Sequence, residues 1–250
     1  MTLRENVYRT THALQRRIVP ELKYSQAHYE EELWRYAPGA QSWLDIGCGH
    51  HLLPVWRSAA EEKLLATVPL VVGIDRDYDA LRKHSTIRNV LQADIGMLPF
   101  QEQSFDLVTA NMVIEHLDDP LHQFREIARV LRPGGIFLFH TPNLRSYVIQ
   151  IARRLPDGLK KALARALEGR KEEDVYPTHY RANTANDIRA VADHAGLDVM
   201  AIKFTVSTPV FSLVPPLAAV ELFYLRQLAR RPKLASYGQT LICALRRPAE

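Results

Sequence analysis

Short apolar runs alternate with longer amphipathic stretches over the first 140 residues, and each change of period marks an element boundary. Residues 42–46 form an apolar run broken by Gly47-Cys48-Gly49, which predicts a buried strand entering a tight turn. Residues 70–74 predict a second strand ending at Asp75, with 52–65 as the crossover helix of a βαβ unit. The alternation continues with a helix at 78–84, strands at 89–92 and 105–110, a helix at 121–131 closed by Arg132-Pro133-Gly134-Gly135, and a strand at 136–140. Such alternation predicts an α/β fold, a mostly parallel sheet with helices on both faces.

On either side of this core the pattern differs. Residues 21–36 carry Leu22, Tyr29, Leu33 and Trp34 at helical spacing before Pro38-Gly39, so the N-terminal part, 1–39, is expected to be one or two helices. Residues 142–183 hold no strand pattern. Within them, 153–171 is rich in arginine and lysine, with Leu155, Leu159, Leu163 and Leu167 at four-residue intervals, which predicts a helical cap. Order resumes at 184–250 with a helix at 184–195, a strand at 198–206, an apolar helix at 217–228 and a last strand at 239–246. The 250 residues are therefore expected to form a single domain, with 40–141 as its core.

Composition narrows the function only slightly. Cys48 and Cys243 lie far apart in apolar stretches, which favours neither a disulfide framework nor a cysteine metal site and suits the cytoplasm. Charges are spread through residues 1–17, where an export signal needs an apolar stretch. The run 209–225 contains Pro209, Pro215, Pro216 and Glu221, so it is not expected to span a membrane. A net charge of +4, from 32 basic and 28 acidic residues, falls short of a dedicated nucleic-acid binder.

Chemistry enters with five segments in a fixed order. They are Leu44-Asp45-Ile46-Gly47-Cys48-Gly49; Val72-Gly73-Ile74-Asp75; Gln92-Ala93-Asp94-Ile95; Phe105-Asp106-Leu107-Val108 with Val113-Ile114-Glu115-His116-Leu117; and Leu131-Arg132-Pro133-Gly134-Gly135. In that order, over roughly residues 40–140, they resemble the class I S-adenosylmethionine-dependent methyltransferases, methyltransferase type 11 in particular. The resemblance implies a Rossmann-like seven-stranded sheet whose last strand is antiparallel, and S-adenosyl-L-methionine as cofactor. It implies cofactor contacts at Asp45, Gly47, Cys48, Gly49, Asp75, Arg76, Asp94, Ile95, Asn111 and Met112.

Physical reasoning reaches some of the same positions. A glycine turn at a strand's carboxyl end lets backbone amides approach a ligand where strand order reverses, and an acid ending the second strand can accept from both ribose hydroxyls. Asp94, on the loop after the third strand, is placed to accept from an adenine amino group, with Ile95 against the ring. Read without the resemblance, the turn equally opens a dinucleotide site or a plain tight turn, Asp75 is an N-cap or surface acid, and Asp94 is a turn former. One feature argues against NAD: the third position of Gly-x-Gly-x-x-Gly is Leu52. The chain departs from the methyltransferase pattern too, with Gly49-His50-His51 where that family often has a third glycine, so a different turn or a His51 closing over the cofactor is expected there. The histidine pair lacks the spacing of companions that a metal site needs, so no metal is expected.

Methyl transfer from a sulfonium needs positioning more than a base. Where the acceptor's proton must leave, the candidates are His116, His140 and His179. The acceptor pocket is expected from His140 and Asn143 at the end of the fifth strand and from His179, Tyr180 and Arg181 closing the insertion; the alternative is loop capping by the same residues. Segments 153–171 and 211–233 combine apolar and basic residues, which leans toward a small-molecule or lipid-like acceptor and a peripheral membrane contact; the alternative is a solvated cap and a helix packed on the sheet. A nucleic-acid methyltransferase and a non-catalytic cofactor-binding module are the competing readings. The first is disfavoured because the chain has neither the Asn/Asp-Pro-Pro-aromatic motif nor a Pro-Cys motif.

Overall fold

The computed structural model describes residues 3–155 and 177–249. Seven strands form one sheet in the order β3-β2-β1-β4-β5-β7-β6. They are β1 Ser42–Ile46, β2 Leu70–Asp75, β3 Asn89–Gln92, β4 Phe105–Asn111, β5 Leu131–Pro142, β6 Asp198–Thr205 and β7 Thr240–Arg246. β1 pairs in parallel with β2 on one side and β4 on the other, so strand order reverses beside β1. β2–β3 and β4–β5 are also parallel. β7 runs the other way. The Gly134 amide donates to the Arg247 carbonyl and the Arg247 amide to that of Gly135 at the start of β5, while the Asn143 amide past its end donates to Gln239 ahead of β7.

Among the described residues the expected strands and helices are present, with differences of extent; the crossover helix expected at 52–65 is α-helical only over Ser58–Leu65. β5 begins at Leu131, because Leu131 already pairs with Phe105 before an irregularity lets Ile136 resume against Leu107. The N-terminal part forms two helices, α1 Leu3–Ile18 and α2 Ser25–Tyr36. A short helix at Tyr147–Arg154, α6 here, opens the insertion, capped by the Ser146 hydroxyl; the rest of the expected cap helix, 156–171, lies outside the described residues. The other helices are α3 Ser58–Leu65, α4 Tyr78–Arg82, α5 Pro120–Val130, α7 Ala185–His194 and α8 Pro215–Arg230.

The chain divides into two compact units. One comprises 26–142, 178–203 and 241–250, and the other 1–25, 143–177 and 204–240. The first contains nearly all of the sheet. Its core joins Tyr29 and Leu33 of α2 to Trp43, Leu107, Leu138 and Ile242 of the strands and Leu64 of α3, all buried. The second is helical, built on α1, α6 and α8.

Candidate functional site

The site starts where β1 ends. The amides of Gly47 and Cys48 both donate to the carbonyl of Ile74, at 2.7 and 3.0 Å, so the turn is stitched to β2. Gly47 has φ +69°, and a Cβ there would meet Val113 Cγ2 at 2.4 Å, so this position requires glycine twice over. Gly49, at φ +53°, has nothing within 4 Å of where its Cβ would be, and its amide donates 2.9 Å to Asp75 Oδ2. Asp75 Oδ1 accepts from the Asp77 amide at 2.9 Å. Each oxygen of this carboxylate thus keeps lone-pair capacity for a further donor. Cys48 turns its side chain inward against Leu81 and Ile87, and burial pushes its thiol well above the ordinary range. Only its backbone belongs to the turn.

Asp94 works as a turn former. Its Oδ1 accepts from the Gly96 amide at 2.7 Å, while Oδ2 faces Arg76 at 3.4 Å. Arg76 and Asp94 strap the loops after β2 and β3 together, and Ile95 is buried beneath them. The strap is largely exposed, so its energetic contribution is small and its effect is positional.

Asp45 is buried inside β1. It accepts from the Thr109 hydroxyl, which in turn accepts from the Trp43 indole at 2.7 Å. Burial raises the Asp45 carboxyl from 3.8 to about 7. Asp45 therefore fixes β1 to β4 underneath the turn. At the end of β4, Asn111 exchanges amide hydrogen bonds with Gln26 of α2 at 3.0 and 3.2 Å. Met112 follows at φ +57°, an uncommon conformation for a side-chain-bearing residue, with its amide on the His140 carbonyl at 2.8 Å.

The three candidate histidines separate sharply. His140 is fully buried, stacked on Tyr29 with ring centroids 5.5 Å apart, and its Nδ1 lies 3.0 Å from Asn111 Oδ1. Since Asn111 uses its amide protons toward Gln26, Nδ1 donates in this pair. Burial holds the ring neutral, lowering it to about 3, so His140 orients Asn111 and is no base near neutral pH. His116 is half-buried and His179 exposed. The amides of His179 and Tyr180 both donate to the Glu115 carbonyl, at 2.7 and 3.1 Å, and the Arg181 guanidinium bonds the Asp118 carbonyl. Residues 179–181 are thereby docked onto 115–118, with Tyr180 at φ +52° making the sharp return. The buried Glu115 carboxylate accepts from Thr141, whose hydroxyl in turn accepts from Asn183 at 2.7 Å.

Asn143 is not brought to this group by any side-chain bond. It is buried in the helical unit, donating to the carbonyls of Ser236 and Gly238 and accepting from the Arg145 amide, which is the loop-capping alternative. His51 lies 3.2 Å from the Ser85 hydroxyl. Among the described residues no group of three or more His, Cys, Asp or Glu is placed to hold an ion.

Sequence reasoning missed Gln26, Tyr29 and Thr109 as members of the site. Tyr29 registered only as an apolar position of a helix, and a lone glutamine carries no pattern. Together the open space at Gly49, the unsaturated Asp75 carboxylate and the Asp94 loop fit an adenosine bearing a ribose diol and a small charged tail.

The methyltransferase-domain family model matches residues 44–139. An uncharacterised methyltransferase of Mycobacterium tuberculosis is 31% identical over 128 residues, covering 48% of this chain and 61% of that protein. The malonyl-[acyl-carrier protein] O-methyltransferase of Hahella chejuensis is 36% identical over 107 residues, covering 40% of this chain and 36% of its own length. The chain thus spans less than two thirds of the length of these curated relatives. A solved S-adenosylmethionine-dependent methyltransferase from Methanosarcina mazei shares the fold with a TM-score of 0.57 at 15% identity, over 88% of this chain and 98% of that one.

Proposed function

We propose that this chain, which belongs to the class I S-adenosylmethionine-dependent methyltransferases, moves a methyl group in line onto a small-molecule or lipid-like acceptor. The observation that carries the reading is the Asp75 carboxylate, anchored by the Gly49 and Asp77 amides beside the open space at Gly49. When bound, S-adenosylmethionine supplies an electrophilic methyl carbon on a sulfonium that departs as a neutral thioether.

The protein's own part is orientation. Asp75 holds a vicinal diol with its two remaining acceptor sites, while the amides of Gly47, Cys48 and Gly49 are spent on Ile74 and Asp75, so the glycine turn offers close backbone approach and not the free amides expected of it. Gln26, Asn111 and His140 form a fixed amide–imidazole set at the end of β4, which limits the conformations open to a bound methyl donor. Where an acceptor proton must leave, His179 is the base we favour, since it is exposed and near the Asp118 carboxylate, whereas His140 is held neutral and buried. The docked segment 179–181 is our choice for the acceptor seat. The Hahella relative is named as an O-methyltransferase of malonyl-[acyl-carrier protein], and an acyl acceptor of that kind supports the class proposed. Free, buried Cys48 and Cys243 support a cytoplasmic setting. Among the described residues no helix is long and apolar enough to cross a membrane.

Titration calorimetry tests the core of the reading. S-adenosylmethionine and S-adenosylhomocysteine should bind in the micromolar range and NAD should not. Asp75→Ala should weaken both by about a hundredfold or more, the loss of two hydrogen bonds to a charged acceptor. Selective binding of NAD would overturn it.

A further inference from the structure

The helical unit carries charge and apolar surface in a pattern that the transfer reaction does not use. Residues 1–25, 143–177 and 204–240 hold 17 Lys and Arg against 8 Asp and Glu, while the remainder of the chain holds 15 against 20. The modest net charge of the whole thus conceals a strongly basic unit and a mildly acidic one.

Within the basic unit, α8 is apolar on its solvent side. Leu217, Val220 and Phe223 are 51%, 69% and 53% exposed, and Val214 and Tyr224 are exposed beside them. The single acid of that stretch, Glu221, is buried and saturated: its carboxylate accepts from the amides of Val210 and Phe211 at 2.7 and 2.9 Å and from the Tyr147 hydroxyl. No anion therefore reaches the surface between Val214 and Tyr224. Tyr147, Phe211, Leu217, Val220 and Tyr224 line an open groove of about 280 Å³ over it.

Cations border this apolar face. The C-terminal end of α8 presents exposed Arg230, paired with Glu21 at 3.4 Å, and is followed by exposed Arg231 and Lys233. On the other side Tyr147 packs edge-on against Tyr224, and the same stripe of α6 continues through exposed Ile151 to Arg154. An uncharged apolar helix face edged by arginine and lysine suits an interfacial lipid contact, the apolar part entering the acyl boundary and the cations meeting headgroups. A nucleic acid needs the cations and leaves Val220 and Phe223 unexplained.

We propose that this face, Val214 to Tyr224 of α8 with Arg230, Arg231 and Lys233, docks on a lipid surface bearing anionic headgroups. The contact does not depend on the acceptor's identity, and its test separates from that of the cofactor site.

Flotation with vesicles of phosphatidylcholine, alone or mixed with phosphatidylglycerol, reads it out on the full chain. Wild type should float with the mixed vesicles, on the order of tenfold or more tighter than with phosphatidylcholine alone, and the advantage should shrink with added salt. The double variant Val220→Glu with Phe223→Glu, at exposed positions, should lose flotation while binding S-adenosylhomocysteine as wild type does. Arg231→Glu with Lys233→Glu should cost the mixed-vesicle affinity at least about fivefold per cation removed. Failure of folded, S-adenosylhomocysteine-binding wild type to float would overturn the proposal. So would unchanged flotation of the Val220→Glu, Phe223→Glu variant, or RNA binding by the basic residues with no vesicle binding.

Discussion

At Gly47, two independent constraints fall on one hydrogen atom. An alanine there would adopt a left-handed backbone and drive its Cβ to 2.4 Å from Val113 Cγ2. The first costs about 1–2 kcal/mol and the second about 1–3 kcal/mol. Gly47→Ala should therefore lower the melting temperature by roughly 5–15 °C in a chain of this size. Adding Val113→Ala should return the steric part and leave the backbone part, so the double variant is expected between wild type and Gly47→Ala by thermal denaturation. Glycines and Asp75 were legible in the sequence because their spacing is dictated by backbone geometry. Gln26 and Thr109 were not, because a hydrogen bond formed across more than 60 residues leaves no local pattern.

Two strands on either side of β4 bury opposite titrations. Asp45 of β1 keeps its proton to about 7 in the fold but releases it near 3.8 when unfolded, so its contribution to stability falls as pH rises from about 4 to 7. His140 of β5 binds a proton only near 3 in the fold but at 6.5 when unfolded, so its contribution rises with pH over about 3 to 6.5. Each alone gives a slope of up to about 1.4 kcal/mol per pH unit, and in the wild type the two oppose one another. Urea denaturation between pH 4 and 7 should show this as a difference from wild type: Asp45→Asn gains stability with rising pH, and His140→Asn loses it. Coincident profiles for all three proteins would contradict the assignment. The strands themselves were predicted closely, since each is a short, mostly apolar run bounded by turn or helix signals. The extension of β5 back to Leu131 was not, because Pro133-Gly134-Gly135 reads as a stop until the pairing of Leu131 with Phe105 is seen.

For the molecule as a whole, the alternation of strands and helices made the mostly parallel α/β sheet legible in the sequence, while the strand order β3-β2-β1-β4-β5-β7-β6 is seen only in the fold. The division into a sheet unit and a helical unit was not legible either, because the latter gathers three segments distant in the chain, and its basic character is diluted in a net charge of +4. Ligand linkage offers a global check on the cofactor: S-adenosylhomocysteine at a hundredfold over its Kd should add about 2.7 kcal/mol, or roughly 5–10 °C in melting temperature, where NAD adds nothing.

The contact at Gly47 reaches further than its own turn. Val113 blocks that glycine, the Val113 carbonyl holds the His116 amide at 2.9 Å, and the intervening Glu115 carbonyl holds the amides of His179 and Tyr180. If the turn seats the methyl donor and residues 179–181 the acceptor, as proposed above, this run of contacts joins the two seats. Order of addition should be visible in amide hydrogen exchange, with His179 and Tyr180 slowed once S-adenosylhomocysteine occupies the turn, before any acceptor is present. Unchanged exchange at both amides would show the two sites to be independent.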